Sequence, residues 1–259
     1  MSFPHLLLAL LVASTCAHSH AAPPPAQAPR PVAIHLAGDS TMAAKLASKR
    51  PETGWGEALQ AQFVDGSVTV DNHARNGRST RTFISEGRWQ ALLDATRAGD
   101  AVLIQFGHND QSANKPDRYT SEADYARNLA RFVADVRARG AIPVLMTPVA
   151  RREFDAAGRL RETHGNYPGI VRALAARERV ALIDHERRSA AVVQEAGVEE
   201  SKSLFLWLPA GDANHPGGAR DNTHFSPLGA TRMAAEVAAA LRGLDLPIAA
   251  SVLPAATVR

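Results

Sequence analysis

Short apolar runs alternate with amphipathic stretches along most of the chain. Most of the runs are bounded by Gly, Pro or Asp and have the length of a buried strand, whereas the stretches between them carry apolar residues at helical spacing. Strands are predicted at 32–37, 68–72, 100–106, 141–147 and 180–184. Helices are predicted at 58–63, 89–96, 121–139, 167–179, 186–196 and 227–241.

This alternation predicts a single doubly wound α/β domain with a parallel sheet. Residues 204–222 are rich in Gly and Pro and predict a loop between the last strand and the last helix. Functional sites in such sheets lie outside the carboxyl ends of the strands. We therefore expect the residues that follow each strand to converge on one rim of the sheet.

The two ends of the chain differ from this pattern. Residues 1–22 have the apolar run and small residues of a secretory signal, and residues 23–30 form a proline-rich spacer. We expect the domain at 31–247 and a tail without visible function at 248–259. The apolar run of this leader is too short to span a membrane, and we expect a secreted or periplasmic protein without stable membrane insertion.

Composition narrows the range of functions. The chain has 259 residues, of which 45% are hydrophobic, and its 29 Lys and Arg barely outnumber its 26 Asp and Glu. No basic run exceeds two residues, so nucleic acid is not an expected partner. Cys16, the single cysteine, lies in the leader within a poor lipoprotein motif. Neither a metal-ligand motif nor another cofactor signature is apparent, and we expect no cofactor.

Residues suited to acyl transfer follow three of the predicted strands. Ser40, in a Gly-Asp-Ser motif, follows the first strand, Gly77 the second and Asn109 the third; Asp221 and His224 precede the last helix. Serine-based acyl transfer requires a nucleophile, a base with an orienting acid, and donors for the oxyanion. The five residues can supply these parts, although each motif alone is at least as typical of a turn, a helix cap or a polar loop.

Four sequence blocks resemble, in their order along the chain, those of the SGNH (GDSL) hydrolase superfamily over roughly residues 32–242. They are Gly38-Asp39-Ser40, Gly77, Gly107-His108-Asn109-Asp110 and Asp221-Asn222-Thr223-His224. Five sequence motifs are similar to those of the rhamnogalacturonan acetylesterase branch. They are Gly-Asp-Ser-Thr-Met-Ala, Gly-Trp-Gly, Asn-Gly-Arg-Ser, Ile-Gln-Phe-Gly-His-Asn-Asp and Asp-Asn-Thr-His-Phe. The resemblance implies a five-stranded flavodoxin-like sheet of order 2-1-3-4-5, flanked by helices. It also implies a serine esterase that removes acetyl groups from a plant cell-wall polysaccharide, rhamnogalacturonan or pectin, through an acetyl-enzyme.

The resemblance assigns a role to each residue of the blocks. It makes Ser40 the nucleophile, His224 the base and Asp221 its partner, and it makes Ser40, Gly77 and Asn109 the oxyanion donors. We expect the preceding Asp39 to brace the turn rather than to act as the acid of the triad.

Other side chains have both a substrate-binding and a structural interpretation. His108, Arg78 and Trp207 are predicted to contact the substrate, and Trp55 is a second candidate for stacking on a sugar ring. Other open functions are xylan acetylesterase, lipase, lysophospholipase or thioesterase, and a sugar-binding protein without catalysis. The aromatic fraction of 5% and the absence of an apolar lid helix favour carbohydrate over lipid.

Overall fold

Five parallel strands form the central sheet in the computed structural model, which describes Met1 and residues 31–254. They are β1 Val32–Gly38, β2 Val68–Asn72, β3 Ala101–Gln105, β4 Ile142–Met146 and β5 Ala181–Ile183. Their spatial order, β2-β1-β3-β4-β5, confirms the predicted doubly wound fold. The chain changes winding direction between β1 and β3, and ligands bind at such switch points.

Helices cover both faces of the sheet. In the described residues they are α1 Trp55–Ala58, α2 Thr80–Ser85, α3 Arg88–Ala95, α4 Glu122–Ala138, α5 Tyr167–Glu178, α6 His185–Glu200 and α7 Pro227–Arg242. One core cluster joins β1 to α7 and the other joins β3 to α4. All residues of β3 are buried, as expected of a central parallel strand.

Two helical segments differ from the prediction. The helix expected at 58–63 is replaced by α1 and a 3-10 turn, Gln60–Gln62. The side chain of Gln60 instead bonds the edge strand β2, because its amide donates to Val68 O and its oxygen accepts from Val70 N. Helix α2 was not predicted, since its few residues show little apolar periodicity; the hydroxyl of Ser79 caps it by accepting from Thr82 N.

The prediction of a loop at 204–222 was wrong. This segment contains β6 Phe205–Leu208 and β7 Ala219–Phe225, which pair as an antiparallel ribbon. The Gly and Pro residues that suggested a loop all lie in the connection at 209–218. Asp221 and His224 lie in β7 between its paired residues Arg220 and Phe225, where the register of the ribbon is irregular.

The chain continues to pack against the domain after α7. A 3-10 turn, Pro247–Ser251, follows it, and Ile248 and Val252 are buried in the core. Leu253 N donates to Gln62 O at 2.9 Å, so part of the segment assigned to the tail belongs to the fold. The predicted leader beyond Met1 and the predicted spacer lie outside the described residues. Within the described part, we find no helix with the length and apolarity needed to cross a bilayer.

Candidate active site

Three side chains from opposite ends of the chain form a hydrogen-bonded line at the carboxyl rim. Ser40 Oγ lies 2.8 Å from His224 Nε2, and His224 Nδ1 lies 2.7 Å from Asp221 Oδ2. In the tautomer that fits, Nδ1–H donates to the carboxylate and Nε2 accepts from the serine hydroxyl. This arrangement can transfer the serine proton to the imidazole.

Strand β7 fixes the carboxylate at the end of this line. Asp221 Oδ1 accepts hydrogen bonds from Thr223 N at 2.7 Å and from His224 N at 3.0 Å. Partial burial alone would raise the pKa of Asp221, but the hydrogen bonds from the His224 side chain and these N–H groups lower it to about 2. The carboxylate is therefore charged throughout the neutral range and favours the Nδ1–H tautomer of His224.

A network of buried polar groups supports the turn that carries Ser40. A Cβ atom at Gly38 would come within 2.9 Å of Gln105 O, so the turn requires glycine there. Asp39 Oδ1 accepts from both Thr41 N and Thr41 Oγ1, at 2.9 and 2.8 Å, and Gln105 Nε2 donates to Thr41 Oγ1 at 2.8 Å. As predicted, Asp39 braces the turn.

The loops after β2 and β3 bring the other predicted groups to the same place. Gly77 has a φ of +77°, a left-handed conformation that favours glycine. Asn109 Nδ2 donates to Arg78 O at 3.0 Å, which ties the two loops together. Because an amide nitrogen carries two N–H groups, one remains for a ligand. Ser40, Gly77 and Asn109 all line one cavity.

This cavity has a volume of about 620 Å³ and is polar. It is lined by Ser40, Lys49, Glu52, Asn76, Gly77, Arg78, Thr82, Glu86, Asn109, Lys115, Asp117, Arg118 and His224. These lining residues of the described chain include no Phe, Tyr, Trp, Leu, Ile, Val, Met or Ala. Such walls suit a hydroxyl-rich ligand far better than a long acyl chain.

Of the predicted substrate contacts, only Arg78 lines this cavity. Its Nε lies 2.9 Å from Glu86 Oε2, so its charge is already paired. His108 is buried, with Nδ1 3.4 Å from Asp39 Oδ2 and its ring edge-on to His164. Burial lowers the pKa of His108, which favours the neutral imidazole.

The two tryptophans have structural contacts instead. Trp207 Nε1 donates to Asn222 Oδ1 at 2.9 Å, and the guanidinium of Arg152 lies 4.8 Å from the indole ring. Arg152 Nη1 also donates to Asn222 Oδ1, so both side chains hold the segment of β7 next to the Asp221 carboxylate. Trp55 is fully buried, which excludes stacking on a sugar.

A buried lysine that the sequence did not indicate joins the first two loops. The Lys45 ammonium donates to Ser40 O and, at 3.0 Å, to Asn76 Oδ1, and it pairs with Glu52 at 2.7 Å. No local pattern marks Lys45, because its partners come from distant segments. Gln105 was detectable in principle, since it is a polar residue inside the apolar run 101–106.

Asp110 connects the loop after β3 with the start of α2. Its Oδ1 accepts from Thr80 N at 2.9 Å and from Thr80 Oγ1 at 2.6 Å. Burial raises the pKa of Asp110 to about 7 despite these hydrogen bonds. The buried side chain of Asp110 thus fixes the part of the loop that carries the neighbouring Asn109.

A parallel α/β sheet with this Ser-His-Asp line at its carboxyl rim defines a serine-dependent hydrolase. The model of the GDSL-like Lipase/Acylhydrolase family matches residues 36–232, and the chain belongs to this family. The predicted resemblance to the superfamily is thus confirmed.

Individual relatives and a solved structure extend the comparison. The chain is 41% identical over 220 residues to Rhamnogalacturonan acetylesterase RhgT of Bacillus subtilis (strain 168), covering 85% of this chain and 93% of the relative. It is 37% identical over 221 residues to Probable rhamnogalacturonan acetylesterase YesY of the same strain, covering 85% and 97%. The crystal structure of protein YXIM from Bacillus subtilis matches with a TM-score of 0.71 at 26% identity, covering 82% of this chain and 56% of that chain.

Proposed function

We propose that the protein is a serine esterase that removes acetyl groups from a plant cell-wall polysaccharide, with rhamnogalacturonan as the preferred substrate. The observation that carries this proposal is the line from Ser40 through His224 to Asp221 beside a polar cavity. The names of the two Bacillus relatives support the choice of substrate.

The mechanism follows from the geometry. His224 Nε2 takes the hydroxyl proton as Ser40 Oγ attacks the acetyl carbonyl carbon, and the C=O electrons move onto oxygen. The N–H groups of Ser40 and Gly77 and the Asn109 amide stabilise this oxyanion. Collapse of the intermediate expels the sugar oxygen, which receives the proton from His224. A water molecule then loses a proton to His224 and attacks the acetyl carbon. The bond to Ser40 Oγ breaks, Oγ takes the proton back from His224, and acetate leaves.

The charges of the cavity favour an acidic polysaccharide over a neutral one. Among the described residues, Lys49 and Lys115 have no carboxylate within 4.0 Å, although both line the cavity. The three lining carboxylates, Glu52, Glu86 and Asp117, are in contrast each paired with a neighbouring Lys or Arg. Two unpaired ammonium groups can attract the galacturonate carboxylates of rhamnogalacturonan, whereas the xylose backbone of xylan offers no such charge.

Acetate release from a panel of acetylated polysaccharides tests this proposal. The panel contains rhamnogalacturonan, homogalacturonan and xylan at equal acetyl concentration, together with acetyl and octanoyl aryl esters. We expect the highest kcat/KM on rhamnogalacturonan and a preference for the acetyl over the octanoyl ester. A higher kcat/KM on xylan would contradict the choice of polymer, and a preference for octanoyl would contradict the carbohydrate assignment altogether.

We further propose that the protein acts outside the cytoplasm. The composition of residues 1–22 supports export, and a polymeric cell-wall substrate is met outside the cell. The N-terminal sequence of the protein recovered from the periplasm or the medium tests this. A start near residue 22 is expected, whereas an intact chain confined to the cytoplasm would contradict export.

A further inference from the structure

Two histidines and an aspartate meet at the edge of the sheet, outside the cavity beside Ser40. His35 lies on β1, Asp71 lies on the edge strand β2, and His73 follows β2 directly. The parallel register pairs His35 with Asp71, and this pairing brings the three side chains together. None of the three has a part in the mechanism above.

Their donor atoms have the spacing of a tetrahedral metal site. His35 Nδ1 lies 3.4 Å from His73 Nε2 and 3.3 Å from Asp71 Oδ2, and His73 Nε2 lies 2.8 Å from Asp71 Oδ2. Ligands bound to zinc at 2.0–2.1 Å in a tetrahedron lie about 3.3 Å apart. Two of the three spacings match this value, and the third needs to widen by about half an ångström.

A fourth residue orients the buried histidine as metal sites require. His35 Nε2 lies 3.4 Å from Asp100 Oδ2, and Ala33 N and Arg97 N donate to the same carboxylate at 2.9 and 2.8 Å. When Nε2–H points to Asp100, the lone pair of Nδ1 points to Asp71 and His73. A carboxylate behind a ligating histidine is the usual way of fixing its tautomer.

The cluster is enclosed on one side and open on the other. The side chain of His35 is 3% exposed, that of His73 is 20% exposed and that of Asp71 is 46% exposed. An ion can therefore enter from solvent and keep a water molecule as its fourth ligand, while the buried histidine shields the inner side.

We propose that His35, Asp71 and His73 bind one divalent transition-metal ion of the zinc type. Two imidazoles and a carboxylate suit Zn²⁺ rather than Mg²⁺ or Ca²⁺, which prefer oxygen ligands alone. The ion links β1 to the edge strand β2. Four residues beyond His73 lies Gly77, so the same link anchors the start of the loop that lines the cavity.

Zinc binding to the full chain, stripped with a chelator, tests the proposal. Titration calorimetry measures affinity and stoichiometry, and thermal unfolding with and without Zn²⁺ measures the stabilisation. The variants are His73→Gln and the isosteric Asp71→Asn, both at solvent-accessible positions. His215→Gln, in the connection between β6 and β7, is the matched control. Circular dichroism verifies that each variant is folded.

We expect the wild type to bind Zn²⁺ and its Tm to rise by roughly 5–10 °C at a free Zn²⁺ concentration 100 times Kd. His73→Gln should weaken binding roughly 100-fold or more, because loss of a partner behind the ligands alone costs about 10–100-fold. Asp71→Asn should also weaken binding, and His215→Gln should leave it unchanged. Absence of zinc binding in the wild type, or equal affinity in His73→Gln, would overturn the proposal.

Discussion

The side-chain amide of Asn109 connects two loops and is also a proposed oxyanion donor. One N–H of its amide bonds Arg78 O, and the other is directed to the oxyanion in the proposed mechanism. We expect Asn109→Ala to lower kcat on an aryl acetate roughly 10²–10³-fold, because an oxyanion donor acts mainly in the transition state. Asn214→Ala, in the connection between β6 and β7, is the control. A change confined to KM would contradict this role.

We expect Lys49 and Lys115 to bind the carboxylates of the polymer and to take no part in breaking the ester bond. The double variant Lys49→Gln, Lys115→Gln should lower kcat/KM on acetylated rhamnogalacturonan about 10-fold, which corresponds to about 0.7 kcal/mol for each solvent-accessible ion pair. The loss should shrink in high salt. Activity on a neutral aryl acetate should be retained, and Lys202→Gln outside the cavity should resemble wild type. An equal loss on both substrates would argue against carboxylate recognition.

At the level of elements, the contact between α7 and the turn Ser201–Leu204 holds the ribbon that carries Asp221 and His224. A Cβ atom at Gly229 would lie 1.7 Å from Leu204 O, a backbone atom that no rotamer change can move. We expect Gly229→Ala to lower Tm by roughly 4–8 °C, which corresponds to about 2 kcal/mol of overpacking.

Gly243→Ala, at the other end of α7, is the matched control for this substitution. Its Cβ would come no closer than 3.5 Å to a neighbouring atom, which is ordinary contact. Calorimetry of both variants compares them directly, and a Tm for Gly229→Ala equal to that of Gly243→Ala would contradict the close packing of α7.

The central strands were predictable because a buried parallel strand is a short apolar run. The run at 100–106 gave β3 to within one residue at each end. The ribbon β6–β7 was missed, since Arg220, Asp221 and Asn222 lack the alternation of a half-buried strand. The candidate site residues Ser40, Gly77 and Asn109 could be predicted because each follows a predicted strand. The contacts of Lys45 were not, because they depend on how distant loops approach each other.

For the whole molecule, the buried Asp110 predicts a pH dependence of stability. Its pKa is about 7 in the folded state and near 3.8 in the unfolded chain. Between these values the folded state retains a proton that the unfolded state has lost. The free energy of unfolding therefore falls as the pH rises from 4 to 7, by at most about 1.4 kcal/mol per pH unit from this group.

The variant Asp110→Asn removes this contribution and should flatten the decline. Urea unfolding at several pH values between 4 and 8 measures it, with the exposed Asp94→Asn as control. An unchanged slope in Asp110→Asn would mean that the group is ionised in the folded protein over this range.

The proposed mechanism gives Ser40 the role of carrying the acetyl group during polysaccharide deacetylation. Its most direct test is the rate of acetate release from acetylated rhamnogalacturonan by the wild type and by Ser40→Ala, which removes only the attacking oxygen. We expect release by the wild type and a loss of roughly 10⁴-fold or more in the variant. Acetate release by Ser40→Ala at a rate near that of the wild type would show that Ser40 is not the nucleophile.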